Sequence, residues 1–188
     1  MNFCSNCGHS ISVLIPEDDN RERYCCGNCG AIHYVNPRII VGTLPVWEDK
    51  LMICKRGIEP RVGLWTLPAG FMELGETTEE GAIRETWEET RAQVDIQHLH
   101  GVYNIPQIDQ VYFIYLAQMR SPKFELTPES TQIELIDKVD IPWDKIAFPV
   151  IKQALTQYVE QGPAAFSEVH HSEILIPRFG ERIKPKLF

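Results

Sequence analysis

Apolar and polar residues along this chain follow two different rhythms. Arg38 to Trp47 and Leu51 to Lys55 are rich in apolar and β-branched residues and read as strands, with Glu48-Asp49 as the turn between them. Further strands are expected at Val94 to Tyr103, Val111 to Met119 and Gln132 to Val139. Thr77 to Thr90 reads as a helix, because Thr77 and Glu80 form a Thr-x-x-Glu capping box just after Gly75 and only Gly81 interrupts residues 78 to 90. A second helix is expected after Pro149, with Val150, Ile151, Ala154, Leu155 and Tyr158 on one stripe and Gly162 as the stop. In the last stretch, Ile174-Leu175-Ile176 could form one edge strand, while Pro177, Gly180 and Pro185 bar a longer element. Strands and helices mix throughout, so the class is α+β. No internal repeat or low-complexity tract is evident. Residues 1–35 stand apart as a cysteine-rich module, 36–163 as the main domain and 164–188 as a tail.

Composition narrows what such a fold can do. The chain has 188 residues, with 18 Lys and Arg against 26 Asp and Glu, a formal net charge of −8. An acidic surface is a poor partner for nucleic acid or an anionic membrane, since both are recognised through basic residues. Hydrophobic residues at 44% and charged residues at 23% are the proportions of a globular protein. The length allows one full domain plus a small module. No run approaches the ~18 apolar residues of a membrane span, and the first twenty residues lack a basic start followed by an apolar stretch. A cytoplasmic protein is expected, in which six cysteines serve as thiols or metal ligands rather than disulfides.

Five of those cysteines fall in the first 29 residues, as Cys4-x-x-Cys7 and Cys26-x-x-Cys29 with Cys25 beside the second pair. Two such knuckles can aim four thiolates at one Zn²⁺, which takes sulfur ligands tetrahedrally. The competing readings are a redox dithiol or unpaired core cysteines, and the paired spacing favours zinc over both. Cys25 could substitute for Cys26, and His9 or His33 could intrude. A four-sulfur site has no open coordination position, so the ion would be structural. Arg21 and Arg23 are the only bases among residues 1–35, facing Glu17, Asp18, Asp19 and Glu22, which argues against phosphate binding there.

The reactive chemistry is expected between Gly70 and Thr90. On a helix, Glu85, Glu88 and Glu89 fall at i, i+3 and i+4 and share one face. Like charges at that spacing repel and raise one another's pKa, so the arrangement is unfavourable unless a cation is supplied. Mg²⁺ or Mn²⁺ prefers carboxylate oxygens and bridges to phosphates. Arg84 could orient one of these carboxylates, and Glu73 and Glu76 sit on the loop leading in. The competing reading is an ordinary solvated acidic face.

These residues resemble the Nudix hydrolases, whose box runs Gly, five residues, Glu, seven residues, then Arg-Glu-apolar-any-Glu-Glu-any-Gly-apolar. The match falls on Gly70, Glu76, Arg84, Glu85, Glu88 and Glu89. Arg91 stands where the box has Gly, Thr86 fills an apolar slot and Ala92 is small at the last one; Arg91 must either accept a left-handed backbone or let the helix end differently. The resemblance spans roughly residues 36 to 160. It implies an α/β/α sandwich with a mixed β-sheet, here preceded by a small zinc ribbon, acting on a nucleoside diphosphate linked to another group with Mg²⁺ or Mn²⁺. The family's metal ligands carry over onto Glu85, Glu88 and Glu89, joined by a backbone carbonyl at Ala69 or Gly70. Several relatives add a loop glutamate as base or ligand, for which Glu129 is the best match and Glu125 and Glu134 are weaker. Arg84, Glu85, Glu88, Glu89 and Glu129 are thus the expected catalytic set.

Substrate choice must come from outside the box. Two zinc-ribbon subfamilies bear on it. The Ser-Gln-Pro-Trp-Pro-Phe-Pro segment of NADH pyrophosphatases has only a faint echo in Pro142-Trp143. Ile58 to Gly70, Pro128-Glu129-Ser130 and Asp140-Ile141-Pro142 resemble the plant chloroplast FAD and ADP-ribose pyrophosphatases. That resemblance implies a small-molecule nucleotide substrate, cleavage of FAD to FMN and AMP, and overlapping use of ADP-ribose. Trp65, Phe71, Tyr103, Tyr112 and Phe113 could stack on a flavin or serve as core packing; Arg38, Lys55, Arg56 and Arg61 could offset diphosphate charge or lie solvated at the surface. Trp47 and Trp87 read as packing, and His170 and His171 as exposed. The alternatives are an NADH pyrophosphatase and a zinc-ribbon sensor that binds without turnover. Many family members are homodimers, a role the tail could serve.

Overall fold

The computed structural model describes residues 1–161 and 169–176. The chain divides into two compact units, one spanning Met1–Pro37 and the other beginning at Arg38. The first unit carries three short antiparallel strands, β1 (Ser12–Leu14), β2 (Arg23–Cys25) and β3 (Ile32–His33), in the order β1-β2-β3. Two turns flank them and have the same construction. Cys4 N–H donates to the His9 carbonyl and Gly8 N–H to that of Cys4; Cys26 N–H donates to Ala31 and Gly30 N–H to Cys26. Gly8 and Gly30 take φ of 73° and 72°, the left-handed backbone that glycine adopts without steric cost. The chain therefore does repeat locally, as Cys-x-Asn-Cys-Gly in Cys4–Gly8 and again in Cys26–Gly30, a five-residue likeness too short to register as an internal repeat.

The second unit is built on an eight-stranded mixed sheet. Its strands are β4 (Arg38–Trp47), β5 (Lys50–Arg56), β6 (Trp65–Thr66), β7 (Ala69–Phe71), β8 (Val94–Ile105), β9 (Gln110–Met119), β10 (Ser130–Ile136) and β11 (His170–Glu173). The main order is β10-β5-β4-β9-β8-β11, with β6 on β5 and β7 on β4. The β4–β9 and β8–β11 pairs are parallel and the others antiparallel.

Period-two alternation assigns the two faces of β4. Leu44 and Val46 join Ile114, Leu116 and Tyr103 under helix α2 (Pro149–Gln161), which contributes Val150, Ile151, Ala154 and Leu155. Val41 instead packs with Ala82 and Tyr115 beneath helix α1 (Thr78–Thr90). The result is an α/β/α sandwich whose apolar core lies on both sides of one sheet. Thr86, the polar residue in an apolar slot of the box, is fully buried, and its hydroxyl meets Thr43 Oγ1 at 2.6 Å and donates to the Ala82 carbonyl at 2.7 Å. A buried hydroxyl is tolerated when paired in this way.

Two expected elements differ. The strand expected over Gln132 to Val139 stops at Ile136, and Lys138–Asp140 forms a 3₁₀ turn that leaves Val139 88% exposed. In the tail the strand is His170–Glu173, just before the expected Ile174-Leu175-Ile176; Ile174 caps it by donating to the Asn104 carbonyl and burying its side chain. Pro177, Gly180, Pro185 and the proposed helix stop at Gly162 lie outside the described residues. No helix among the described residues is long and apolar enough to cross a membrane.

Candidate functional site

Cys4, Cys7, Cys26 and Cys29 bring their sulfurs within 4.8 Å of one another. Cys4 and Cys29 are 3.7 Å apart and Cys7 and Cys26 3.5 Å. A tetrahedron of Zn–S bonds near 2.3 Å has S–S edges of about 3.8 Å, so this cluster is close to the size such an ion requires. The His9 backbone N–H on its sulfur holds the Cys7 thiol down to about 6. The Ala31 backbone N–H lowers the Cys29 thiol, but hydrogen bonds with Cys7 and Cys26 push it up to about 12, so without an ion the four sulfurs do not all ionise. His33 Nε2 lies 3.2 Å from Cys4 Sγ as a neighbour of the cluster, and His9 Nδ1 turns to the Cys7 carbonyl. Cys25 lies outside the cluster, on β2 opposite Ser12.

The acid-rich site lies where β4 opens. Its C-terminal end pairs with β5 and its N-terminal half with β7, bringing the Ala69–Phe71 strand against α1. Gly42 permits that approach, since a Cβ there would lie 2.4 Å from Ala69 Cβ. Gly70 is required for a different reason: a Cβ on it would fall 2.3–2.5 Å from the Glu85 carboxylate atoms. The box glycine thus leaves room for an acid against bare backbone.

Helix α1 starts as expected. Thr77 is the N-cap, its hydroxyl accepting from Glu80 N–H while the Glu80 carboxylate accepts from Thr77 N–H. It ends at Arg91, whose φ of 57° and ψ of 8° are left-handed. Of the two outcomes open from sequence, the structure takes the left-handed backbone. Arg91 N–H donates to the Trp87 carbonyl at 2.7 Å, and its guanidinium lies 5.6 Å from the Trp87 ring centre. Trp87 is 43% exposed, which corrects its reading as a packing residue, whereas Trp47 does pack, against the apolar cluster that holds Met52, Val94, Met119 and Ile133.

Arg84 is the hub of the site. It donates to Glu76 through Nε and Nη2, at 2.9 and 2.7 Å, to Glu85 at 2.8 Å and Glu88 at 3.1 Å through Nη1, and to the Phe71 carbonyl at 3.1 Å. The Arg84 hydrogen bond, helped by Glu73 N–H, holds the Glu76 carboxyl down to about 2. Glu76 therefore stays ionised and anchors the arginine, while Glu73 contributes only backbone.

The three helix acids differ in environment. Glu88 has a side chain 53% exposed and Glu85 one 13% exposed. Glu89 is 7% exposed, with the Cys54 thiol 3.8 Å from its Oε2. Burial, then the charges of Glu85 and Glu129, pushes Glu89 up to about 8; burial raises Glu85 as well. Glu129 is exposed on the loop before β10, with its charge bearing on both acids. Glu134 accepts instead from Gln132, and Glu125 donates its backbone N–H to the Thr90 carbonyl.

The donor set suits a hard divalent cation. It offers carboxylates of graded exposure, a buried acid that holds its proton for want of positive charge, and glycine backbone beside Glu85. Among the basic residues, Arg56 is the one whose charge reaches Glu89, although its Nε is engaged by the Pro60 carbonyl and its guanidinium lies over Phe148. Lys55 covers the buried Trp65, and Arg61 is exposed. Of the expected stacking residues, Trp65 and Tyr103 are core, Tyr112 and Phe113 are half-buried, and Phe71 is 52% exposed beneath the Arg38 guanidinium at 5.4 Å. His171 is exposed, while His170 is half-buried with its ring against that of buried His100.

Cys54 and Thr127 escaped the sequence reading. Cys54 alternates on β5 with Met52, and that period-two pattern could have placed it on the α1 side of the sheet. Thr127 carries no comparable signal.

Comparison with known proteins agrees with this geometry. The Nudix N-terminal zinc-ribbon family matches residues 2–35 and the NUDIX domain family residues 36–153. A NUDIX hydrolase of Nitrosomonas europaea superposes with a TM-score of 0.90 at 45% identity, covering 94% of this chain and 100% of that one. The ADP-ribose pyrophosphatase of Methanocaldococcus jannaschii is 29% identical over 119 residues, 61% of this chain and 69% of that protein. The NAD-capped RNA hydrolase NudC of Edwardsiella ictaluri is 35% identical over 96 residues, 49% of this chain and 34% of NudC, so the match spans about a third of that relative's length. With both of its parts matched in order and the box residues gathered around one acidic helix, this chain belongs to the Nudix hydrolase family and carries that family's N-terminal zinc ribbon.

Proposed function

We propose that this Nudix pyrophosphohydrolase cleaves the diphosphate of ADP-ribose and of related dinucleotides, FAD among them, with Mg²⁺ or Mn²⁺ at the acidic helix and Zn²⁺ in the ribbon. The observation that carries the catalytic part is Glu89, an acid buried near the charges of Glu85 and Glu129 that gives up its proton at neutral pH only when positive charge is added beside it. Glu85, Glu88 and Glu89, with the Ala69 or Gly70 carbonyl, would hold the divalent ion. Bound there, the ion supplies neutralisation of the diphosphate oxygens and acidification of a water. Arg84 keeps Glu85 and Glu88 oriented while Glu76 fixes Arg84 from behind. Glu129 accepts the proton of the attacking water. The water oxygen joins one phosphorus, the P–O bond to the other phosphate breaks, and ADP-ribose yields AMP and ribose 5-phosphate.

ADP-ribose is supported by the Methanocaldococcus relative and FAD by the Ile58–Gly70 resemblance. A second reading, NADH or a related NAD species, is favoured by the NudC similarity. ADP-ribose, FAD, NADH and NAD-capped RNA compared by kcat/KM with Mg²⁺ separate these readings. The proposal expects ADP-ribose or FAD to lead, with Glu88→Gln lowering kcat on the order of a thousandfold. A tenfold preference for NADH would overturn the substrate assignment, and binding without turnover, unchanged by Glu88→Gln, would establish a sensor.

A further inference from the structure

The loop between β9 and β10 is tied to the acidic helix at its last turn, where helix carbonyls lack partners within the helix. Glu125 N–H donates to the Thr90 carbonyl at 2.8 Å, and Thr127 Oγ1 donates to the Glu89 carbonyl at 2.9 Å. The same Thr127 oxygen accepts from Ser130 N–H at 3.1 Å, and the backbones of Thr127 and Ser130 bond reciprocally at 3.2 Å. Glu129 lies inside this closed turn. On its other side, Gly57 N–H donates to the Glu129 carbonyl at 2.8 Å. That approach is too close for any side chain at 57, since a Cβ there would lie 2.2 Å from the Pro128 carbonyl oxygen. Glu129 itself is exposed, so its position rests on these backbone ties rather than on packing of its side chain.

We infer that Thr127 is a positioning residue: its one hydroxyl locks the turn carrying Glu129 to the carbonyl of Glu89, fixing the proton acceptor relative to the acid helix. This rests on the reading of Glu129 as that acceptor. A β-branched residue with a hydroxyl suits the task. It donates to one element and accepts from the other, and its stiff χ1 holds both at once. Valine keeps the shape and removes both bonds; serine keeps the bonds.

The test has two readouts. With zinc in the ribbon and no Mg²⁺ present, Thr127→Val is expected to speed hydrogen exchange at the Ser130 and Gly57 amides about tenfold, and Thr127→Ser to leave them near wild type. With Mg²⁺ and ADP-ribose, Thr127→Val is expected to lower kcat about thirtyfold with KM within about twofold, since misplacement of a reacting group by about 1 Å costs up to about a hundredfold. Thr127→Ser restores the rate. In a Glu129→Gln background, Thr127→Val is expected to cost nothing further, the non-additivity of two residues acting as one unit. Should Thr127→Val not fold, Thr127→Ala is read in the same way. A wild-type kcat in the valine variant, or a full additional loss on top of Glu129→Gln, overturns the inference. A Glu129→Gln enzyme as fast as wild type instead overturns the role of Glu129, and the exchange rates then report on the clamp alone.

Discussion

The two regions of this chain proposed to bind metal are built in opposite ways. In the ribbon, four sulfurs from two knuckles already stand within 4.8 Å of one another, and nothing in the donor set leaves a vacant position for substrate. In the larger unit the acids are graded: Glu88 in solvent, Glu85 largely covered against Gly70, Glu89 buried on the inner side of the helix. The first arrangement is complete as a closed cage and suits stability. The second is incomplete without substrate oxygens and suits chemistry. The lesson is that ligand type matters less than closure. A closed donor set would hold an ion for the fold, and one spread from surface to core would leave positions open for a reaction.

That contrast can be broken most severely at the ribbon. Stripping metal with a strong chelator, or Cys26→Ser, should abolish amide protection throughout residues 1–37, an all-or-none loss seen by hydrogen exchange, while the sheet of the larger unit stays protected. Retained protection in the ribbon would show that its hydrogen-bonded knuckles suffice without an ion.

At the acidic helix the expected effect is graded and depends on pH. Glu89 binds its proton more tightly folded, near 8, than at its ordinary 4.5. This carboxyl makes the folded state hold more protons than the unfolded between those values; buried His100, held down to about 4, does the reverse below 6.5, so metal-free stability falls as pH rises from about 6.5 to 8. Glu85 shifts in the same direction. Glu76 shifts the other way, but its window lies below 4.5. Urea unfolding of metal-free protein should therefore show a loss of roughly a few kcal/mol across that range, and Mg²⁺ should abolish it. A pH-independent midpoint would contradict the buried-acid account.

The smallest effect sits at the end of the same helix. Arg91→Gly relieves a left-handed backbone at the box glycine position and is expected to raise stability by about 0.5–1 kcal/mol, read as a shift in the urea midpoint. No gain would mean that the Arg91 contact with Trp87 offsets the strain.

Much of this was legible beforehand because it is written in local spacing. The capping box, the strand pair joined at Glu48-Asp49, the i, i+3, i+4 acids and the paired cysteines each depend on residues a few positions apart. What escaped depends on the fold bringing distant segments together. The strand at His170–Glu173 is set by parallel pairing with β8, whose partner positions lie about seventy residues earlier, and not by the more apolar Ile174–Ile176. Thr86 fills an apolar slot because Thr43, on a different strand, supplies a partner. Cys54 and Thr127 are ordinary strand and loop residues until α1 lies against them. The burial of Glu89, which sets this helix apart from an ordinary solvated acidic face, is a tertiary fact that helix periodicity alone does not determine.

Calorimetric titration with Mn²⁺ of protein that keeps zinc in the ribbon and no other metal, at pH 6 and pH 8, in wild type and Glu89→Gln, tests the central claim most directly. The account predicts tighter binding at pH 8, about one proton released per ion at pH 6 to 7 as Glu89 gives up its hydrogen, and binding by the variant weakened at least tenfold with that release gone. Equal affinity and equal proton release in the two proteins would contradict it.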